Sequence, residues 1–381
     1  MAPTSCHSCR SKRIKSLSFS DNYQRITSDA KLNKGSSKIT HCLDCNLVQT
    51  TVNQEWKRNI EQIYFDYEIY HQANGEEQKV FLPCGGVGTK RSEAIFHNLS
   101  KQFELPEKGN LLDVGCGNGS FLKVFSKRMP KWDLHGSEFD GKYKEKVEGI
   151  PSVQKMHTVS LSQINMQFDL ISMIHVLEHI PNPLKTLSEI RRMLSPTGVL
   201  IVQVPNPTSN PFATMIADHC SHFTINSLNH LLYSSGFSVL NNSTEWVSRE
   251  ISVIAKNKGT INDLVNEIDY DQTTALVESM KWLGRVKAHT ANLFKENMIY
   301  IFGSAISATF TASQYLENIF AFVDEDESRV GKTHLGKAII HPNDLSFRGP
   351  LYIPFPPPFG ERIATRIKDL NSKLKVYFTD S

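Results

Sequence analysis

Nine residues, Leu111-Leu112-Asp113-Val114-Gly115-Cys116-Gly117-Asn118-Gly119, constrain this chain more than any other stretch. An apolar run that ends in an acid and passes into three alternating glycines reads as a buried strand, its carboxyl end, and a tight turn into a helix beginning near Ser120. Gly115 and Gly117 let the backbone approach a ligand with no Cβ in between, and Gly119 lets the helix pack on the strand it has just left. A ligand carrying a ribose then needs an acid at the end of the next strand. Trp132-Asp133-Leu134-His135-Gly136-Ser137-Glu138 ends in Glu138, about 20 residues on. A nucleotide-like cofactor at the carboxyl edge of an open parallel sheet follows.

The order of the turn separates two kinds of cofactor. Dinucleotide folds write G-x-G-x-x-G, whereas here an acid at the strand end precedes Gly115-x-Gly117-x-Gly119. An acid there repels a pyrophosphate but accepts a hydrogen bond from an amino group. The pattern resembles the first motif of class I S-adenosylmethionine-dependent methyltransferases. Two further stretches match that family: Phe168-Asp169-Leu170-Ile171-Ser172-Met173-Ile174-His175-Val176-Leu177-Glu178-His179, and Met193-Leu194-Ser195-Pro196-Thr197-Gly198-Val199-Leu200-Ile201-Val202. A purely structural glycine turn would leave their order and spacing to coincidence. The resemblance implies S-adenosylmethionine held by Asp113, Gly115, Cys116, Gly117, Gly119, Glu138, Phe139, Ser160 and His175.

Around this core the chain alternates strand and helix. Strands are expected to Val114, to Glu138, near Val153 to Val159, from Phe168 to Val176 and over Val199 to Val204; helices are expected over Phe121 to Lys127 and from about Pro183 to Leu194. Alternation of this kind builds a parallel, doubly wound sheet. A helix over Ile225 to Ser234 and strands over Phe237 to Leu240 and Ile251 to Ala255 resemble the family's antiparallel sixth and seventh strands. Beyond Gly259 a helical stretch to about residue 296 is followed by Ile299-Tyr300-Ile301-Phe302-Gly303-Ser304, by Asn318 to Asp324, by Leu351 to Pro354 and by a closing helix from Gly360 to Leu370. That is a second α/β unit whose turn lacks G-x-G-x-x-G, so no second nucleotide cofactor is expected.

The cysteines mark a third unit. Cys6-His7-Ser8-Cys9 and Cys42-Leu43-Asp44-Cys45 are two C-x2-C knuckles, and together they supply the four thiolates of a closed tetrahedral zinc site. With every position filled by sulfur the metal is structural. His7 and His41 flank the knuckles, as neighbours or as replacement ligands. Arg10, Lys12, Arg13 and Lys15 read as a solvated basic face rather than a phosphate site. The tyrosines between Tyr64 and Tyr70 suggest a surface that faces a ligand or an adjoining domain.

The expected fold class is α/β in three parts: a zinc-binding module with an aromatic linker (residues 1–75), a seven-stranded doubly wound methyltransferase domain (76–258) and a smaller Rossmann-like α/β domain (259–381). A chain of 381 residues is long for one core. Its 42 basic and 39 acidic residues carry no global nucleic-acid footprint. The amino terminus has no apolar core of a signal peptide and no stretch reaches membrane-spanning length, so a cytoplasmic protein is expected.

A zinc knuckle pair, a methyltransferase domain and a carboxyl-terminal Rossmann-like unit together resemble the sugar C-methyltransferases, which act on nucleotide-linked 4-keto sugars. In that family a His-Ile-Pro stretch and a Glu-His pair followed by an aromatic carry the substrate chemistry. His179-Ile180-Pro181 matches the first. Asp218-His219-Cys220-Ser221-His222-Phe223 matches the second with Asp in place of Glu. Two histidines fall at the carboxyl edge of the sheet: His219, with Asp218 beside it in sequence, is expected as the base, His179 as the residue steadying a developing oxyanion, and Tyr67 or Tyr70 as a secondary contributor. The chain departs from the family at Ile216 and Ala217, where a tyrosine and a histidine are usual, and at Pro354-Phe355-Pro356-Pro357-Pro358. Three readings stay open: C-methylation of a keto sugar, O-methylation of a hydroxyl, and a zinc module that reads nucleic acid. Intact Asp113, Gly115, Gly117 and Glu138 and the small net charge speak against the third. The partner expected is a small molecule, with neither nucleic acid nor membrane, and the oligomeric state is open.

Overall fold

The computed structural model describes residues 5–35, 37–65, 67, 77, 79–80, 88–258, 270–344, 349–370 and 372–380. The amino-terminal part forms an antiparallel ladder of β1 (Ile14–Ser16), β2 (Ile39–Cys42) and β3 (Val48–Thr50), followed by α1 (Gln54–Phe65). A two-residue strand from far along the chain, Ser221–His222, completes this sheet by pairing antiparallel with β3.

The central domain holds α2 (Arg91–Gln102), β4 (Asn110–Val114), α3 (Ser120–Arg128), β5 (Asp133–Ser137), the short α4 (Lys144–Glu148), β6 (Val153–His157), β7 (Phe168–Ile174), α5 (Pro183–Met193), β8 (Leu194–Pro205), α6 (Ile225–Ser234), β9 (Phe237–Ser243) and β10 (Glu250–Asn257). The seven strands lie in the order β6-β5-β4-β7-β8-β10-β9. Leu111, Leu112, Leu170 and Ile171 are fully buried. Strands covered on both faces read as continuous apolar runs for that reason. Local signals set the helix ends: the Asn182 side chain accepts from the Lys185 amide ahead of Pro183, and Thr224 forms a capping box with Ser227.

One expectation about the sheet is corrected. Of its last two strands only β10 is antiparallel to its neighbours β8 and β9, so β9 runs with the rest. The crossover through α6 returns the chain parallel, and only the short link from β9 to β10 reverses it.

The carboxyl-terminal part contains α7 (Tyr270–Glu296), β11 (Ile299–Phe302), α8 (Ile306–Ala312), β12 (Ile319–Val323), β13 (Lys337–Ile340), β14 (Leu351–Ile353), α9 (Phe359–Leu370) and β15 (Val376–Phe378). Strands β13-β12-β11-β14-β15 are parallel, and Thr333–His334 adds an antiparallel edge. The start of the helical stretch expected after Gly259 lies outside the described residues.

The amino-terminal part owns little core of its own. Cys6, Cys42, Cys45 and Leu47 pack in one cluster with Val204, Phe223 and Leu228 of the central domain. Leu17, Ile26, Ile39 and Val48 join Phe212, Met215 and the apolar face of α7. Among the described residues no helix is long and apolar enough to cross a membrane.

Candidate active site at the carboxyl edge of the central sheet

The turn after β4 has all three glycines at positive φ: Gly115 at 67°, Gly117 at 51° and Gly119 at 79°. Such a path is open to glycine and strained for other residues. A Cβ on Gly115 would lie 2.3 Å from Val176 Cγ2, and one on Gly119 would lie 2.6 Å from Ile150 Cδ1. Glu138, at the end of β5, reaches over this turn. Its Oε2 accepts from the Gly117 amide (2.9 Å) and its Oε1 from the Phe139 amide (2.8 Å). The Phe139 ring beside it is 91% exposed.

Other residues of the expected cofactor set have partners within the fold. Asp113 is buried, its Oδ1 accepting from Ser172 Oγ across the sheet (2.7 Å). Burial pushes its carboxyl up to about 7, against the pull of the Ser172 hydroxyl. The Cys116 thiol points inward against Gly136, so this residue offers the site only its backbone. Ser160 caps the short turn Leu161–Gln163 through a reciprocal pair with Gln163.

His175, at φ 54°, ends β7 inside an ion-pair cluster. Its Nδ1 lies 3.2 Å from Glu178 Oε1, its Nε2 3.2 Å from Glu250 Oε2, and Arg91 lies 3.5 Å from Glu250 on the other side. Burial works against the imidazolium, but Glu250 and Glu178 outweigh it and hold the pKa up at about 9. A group raised above its unfolded value of roughly 6.5 stabilises fully below that pH and loses its contribution as pH rises through the folded pKa. The thermal midpoint is therefore expected to fall between pH 6.5 and about 9, and His175→Gln should flatten that fall in a calorimetric pH series.

The catalytic candidates meet beside this cluster. After β7 a short turn, Leu177–His179, carries His179, whose Nδ1 lies 3.3 Å from Asp218 Oδ2, 3.1 Å from the Asp218 carbonyl and 3.2 Å from Tyr64 Oη. Asp218 is fully buried. Asp218 therefore serves His179, not its sequence neighbour His219, because its side chain and the imidazole of His219 leave the backbone in different directions. His219 packs edge-on against His179 with ring centroids 4.6 Å apart. Burial opposes charge on His179, yet Asp218 raises its pKa; His219 is driven well below the usual histidine range by burial and by His179.

Tyr64, within the aromatic segment, is the tyrosine that reaches His179. Tyr67 stacks edge-on against Tyr64 with centroids 6.2 Å apart, and Tyr70 lies outside the described residues. Ser28 and Glu250 belong to this site and escaped the sequence reading, while Tyr64 and Glu178 stood in singled-out stretches without a role assigned to them. The signals were the aromatic density around Tyr64 and the place of Glu178 in the Phe168–His179 stretch. Glu178, His179 and His219 place donor atoms within 4.8 Å of one another, but His175 already balances Glu178 and Asp218 holds His179.

The two knuckles also converge. The sulfurs of Cys6, Cys9, Cys42 and Cys45 all lie within 4.8 Å of one another, with Cys6–Cys45 at 3.3 Å and Cys9–Cys42 at 3.5 Å. A tetrahedron of Zn–S bonds of about 2.3 Å has edges of about 3.8 Å, so the set fits a metal ion. Contact with Cys42 raises the thiols of Cys6, to about 12, and of Cys45, while Cys42 itself is lowered by Cys45; such crowding favours a cation. His7 Nδ1 is instead 3.3 Å from Ser221 Oγ, and His41 Nε2 is 3.2 Å from Asn46 Oδ1. In the basic run, Arg13 pairs with Asp44 and Arg10 donates to Asn182.

Residues 87–242 match the family model described as a methyltransferase domain. The mitochondrial ubiquinone biosynthesis O-methyltransferase of Saccharomyces cerevisiae is 27% identical over 186 residues, covering 45% of this chain and 56% of that protein. The sterol 4-C-methyltransferase strm-1 of Caenorhabditis elegans is 28% identical over 175 residues, covering 43% and 51%. The chain thus spans about half the length of the curated relatives it matches. A solved S-adenosylmethionine-dependent methyltransferase from Clostridium acetobutylicum aligns with 44% of this chain and 91% of its own, at 13% identity and a TM-score of 0.37. Motif order, sheet order and the matched model agree, and residues 87–242 form a class I S-adenosylmethionine-dependent methyltransferase domain.

Proposed function

We propose that the chain transfers a methyl group from S-adenosylmethionine to a small-molecule acceptor, with His179 as the general base oriented by Asp218. The observation that carries this reading is the pairing of half-buried His179 with fully buried Asp218 at the carboxyl edge of the sheet, one turn beyond Val176, which touches the glycine turn. Gly115, Gly117 and Glu138 would hold the cofactor, and Phe139 would cover it. When bound, the cofactor supplies an electrophilic methyl group. The chain's residues supply the rest. Neither a hydroxyl nor a carbon next to a ketone is nucleophilic until a proton leaves, and a base fixed within reach accelerates that step. Asp218 on Nδ1 fixes the ring and leaves Nε2 for the acceptor's proton. The neutral His219 would steady the oxyanion that develops, and Tyr64, on the Nδ1 side of His179, would help hold the ring.

The acceptor we propose is a nucleotide-linked keto sugar methylated on carbon, a reading supported by the His179-Ile180-Pro181 and Asp218-His219 stretches and by the three-part organisation 1–75, 76–258 and 259–381. O-methylation is the second reading, favoured because an Asp-supported histidine suits a hydroxyl proton equally well. The four cysteines are proposed to hold one structural zinc. Turnover with a panel of nucleotide-linked keto sugars, set against the corresponding reduced sugars, separates the two acceptors: product from the reduced sugars alone would overturn C-methylation.

Cofactor binding is tested without an acceptor. Glu138→Gln keeps the shape but turns an amide nitrogen or a weaker acceptor toward Gly117 and the ribose. A charge-assisted hydrogen bond is worth about 1.5–3 kcal/mol, so affinity should drop about 10- to 100-fold. Calorimetry with S-adenosylmethionine reads this directly, and unchanged affinity would remove Glu138 from the cofactor site.

A further inference from the structure

The segment 216–222 carries Asp218 and His219, yet most of what holds it comes from the amino-terminal part of the chain. The Ala217 amide donates to the Ile26 carbonyl (2.7 Å), Trp56 Nε1 donates to the Ala217 carbonyl (3.0 Å), and Thr50 Oγ1 donates to the His219 carbonyl (2.9 Å). Ser221 and His222 form a ladder with Gln49 and Val48. One contact reaches the proposed catalytic pair. The Ser28 amide donates to Asp218 Oδ1 (2.9 Å), and the Ser28 hydroxyl donates to Asp218 Oδ2 (2.6 Å), the same oxygen that faces His179 Nδ1.

We propose that Ser28 is a positioning residue: the amino-terminal module clamps both oxygens of Asp218 and so sets the bond by which Asp218 orients His179. This rests on the reading of His179 as the base. A buried carboxylate with one partner can rotate about its last bond, and its second oxygen would then compete for the imidazole. Two donors from a single residue remove that freedom. Outer partners of this kind fix the groups they orient, and their loss in metal sites typically costs about 10–100-fold. The methyltransferase domain thus borrows its catalytic geometry from a part of the chain nearly 200 residues away, and a methyltransferase domain lacking that part would bind cofactor with an unheld Asp218.

The test reads His179 directly and needs no acceptor. Histidine carbon-labelled full-length chain is titrated by NMR, with His179→Asn identifying the His179 signal. The groups facing this imidazole are Asp218, Glu178, His219 and Tyr64, and all stay in place. In the wild type His179 should titrate above the free value. In Ser28→Ala, Asp218 is still charged near neutral pH but less well aimed, so the His179 pKa should move down; Ser28→Thr, which keeps both donors, should restore it. Affinity for S-adenosylmethionine should be unchanged in all three, because Ser28 does not touch the glycine turn. An unmoved His179 titration in Ser28→Ala, or a shift that Ser28→Thr fails to reverse, overturns the proposal. Should His179→Asn keep wild-type turnover while the Ser28 variants behave as stated, the base reading fails and the positioning of the imidazole by Ser28 stands.

Discussion

Replacing Cys42 with serine is expected to release the metal, unfold the amino-terminal module and abolish methyl transfer together. The strands of that module have two to four residues each, too short to hold a fold without outside support. The apparent free energy of a structural zinc bound by cysteines is about 10–16 kcal/mol, as large as the stability of a whole domain. A serine oxygen is a poor substitute for a thiolate, and three remaining sulfurs leave the ion open to water. Because Cys6, Cys42 and Cys45 are packed with Val204 and Phe223, the loss reaches the central domain too. Metal analysis of protein purified without chelator should give about one zinc per chain, and none in Cys42→Ser, with a lower and broader thermal transition. Metal-free wild-type protein that melts normally would remove the zinc assignment.

His179→Asn is expected to lose on the order of 10² to 10⁴ in turnover while binding S-adenosylmethionine normally, the usual size of a general-base contribution. Asparagine keeps a group that can bond Asp218 but has no titratable nitrogen. His219→Asn should cost less, because His219 is 3% exposed and is held neutral by burial and by the neighbouring histidines, while Asp218 bonds His179 instead. The two variants therefore rank the histidines: a larger loss from His219→Asn than from His179→Asn would return the base to His219. Cofactor affinity measured in parallel separates a catalytic defect from a folding one.

The ranking depends on a pairing that chain order conceals. Asp218 sits next to His219 in sequence and bonds His179, which is 39 residues away. Adjacent side chains in an irregular segment diverge, and the partner is whichever group the neighbouring loop presents. His179 is presented by the turn after β7, and the 216–222 segment is laid over it by the hydrogen bond from the Cys220 amide to the Glu178 carbonyl (2.8 Å).

What the sequence by itself determined is local or periodic. The glycine turn after β4, the buried runs of β4 and β7, the capped α6 over Ile225–Ser234 and the two cysteine knuckles were all legible, since each depends on residues a few positions apart. The tertiary structure decided the direction of β9, the burial of Asp113 and the choice of Tyr64 to meet His179. It also decided that Ser221–His222 would become the fourth strand of the amino-terminal sheet and that Ser28 would hold Asp218. These contacts join residues tens to hundreds of positions apart. Hydrogen-bonding groups satisfied at that range leave no period, spacing or propensity in the chain; they exist because buried polar groups must find partners once the apolar faces have packed.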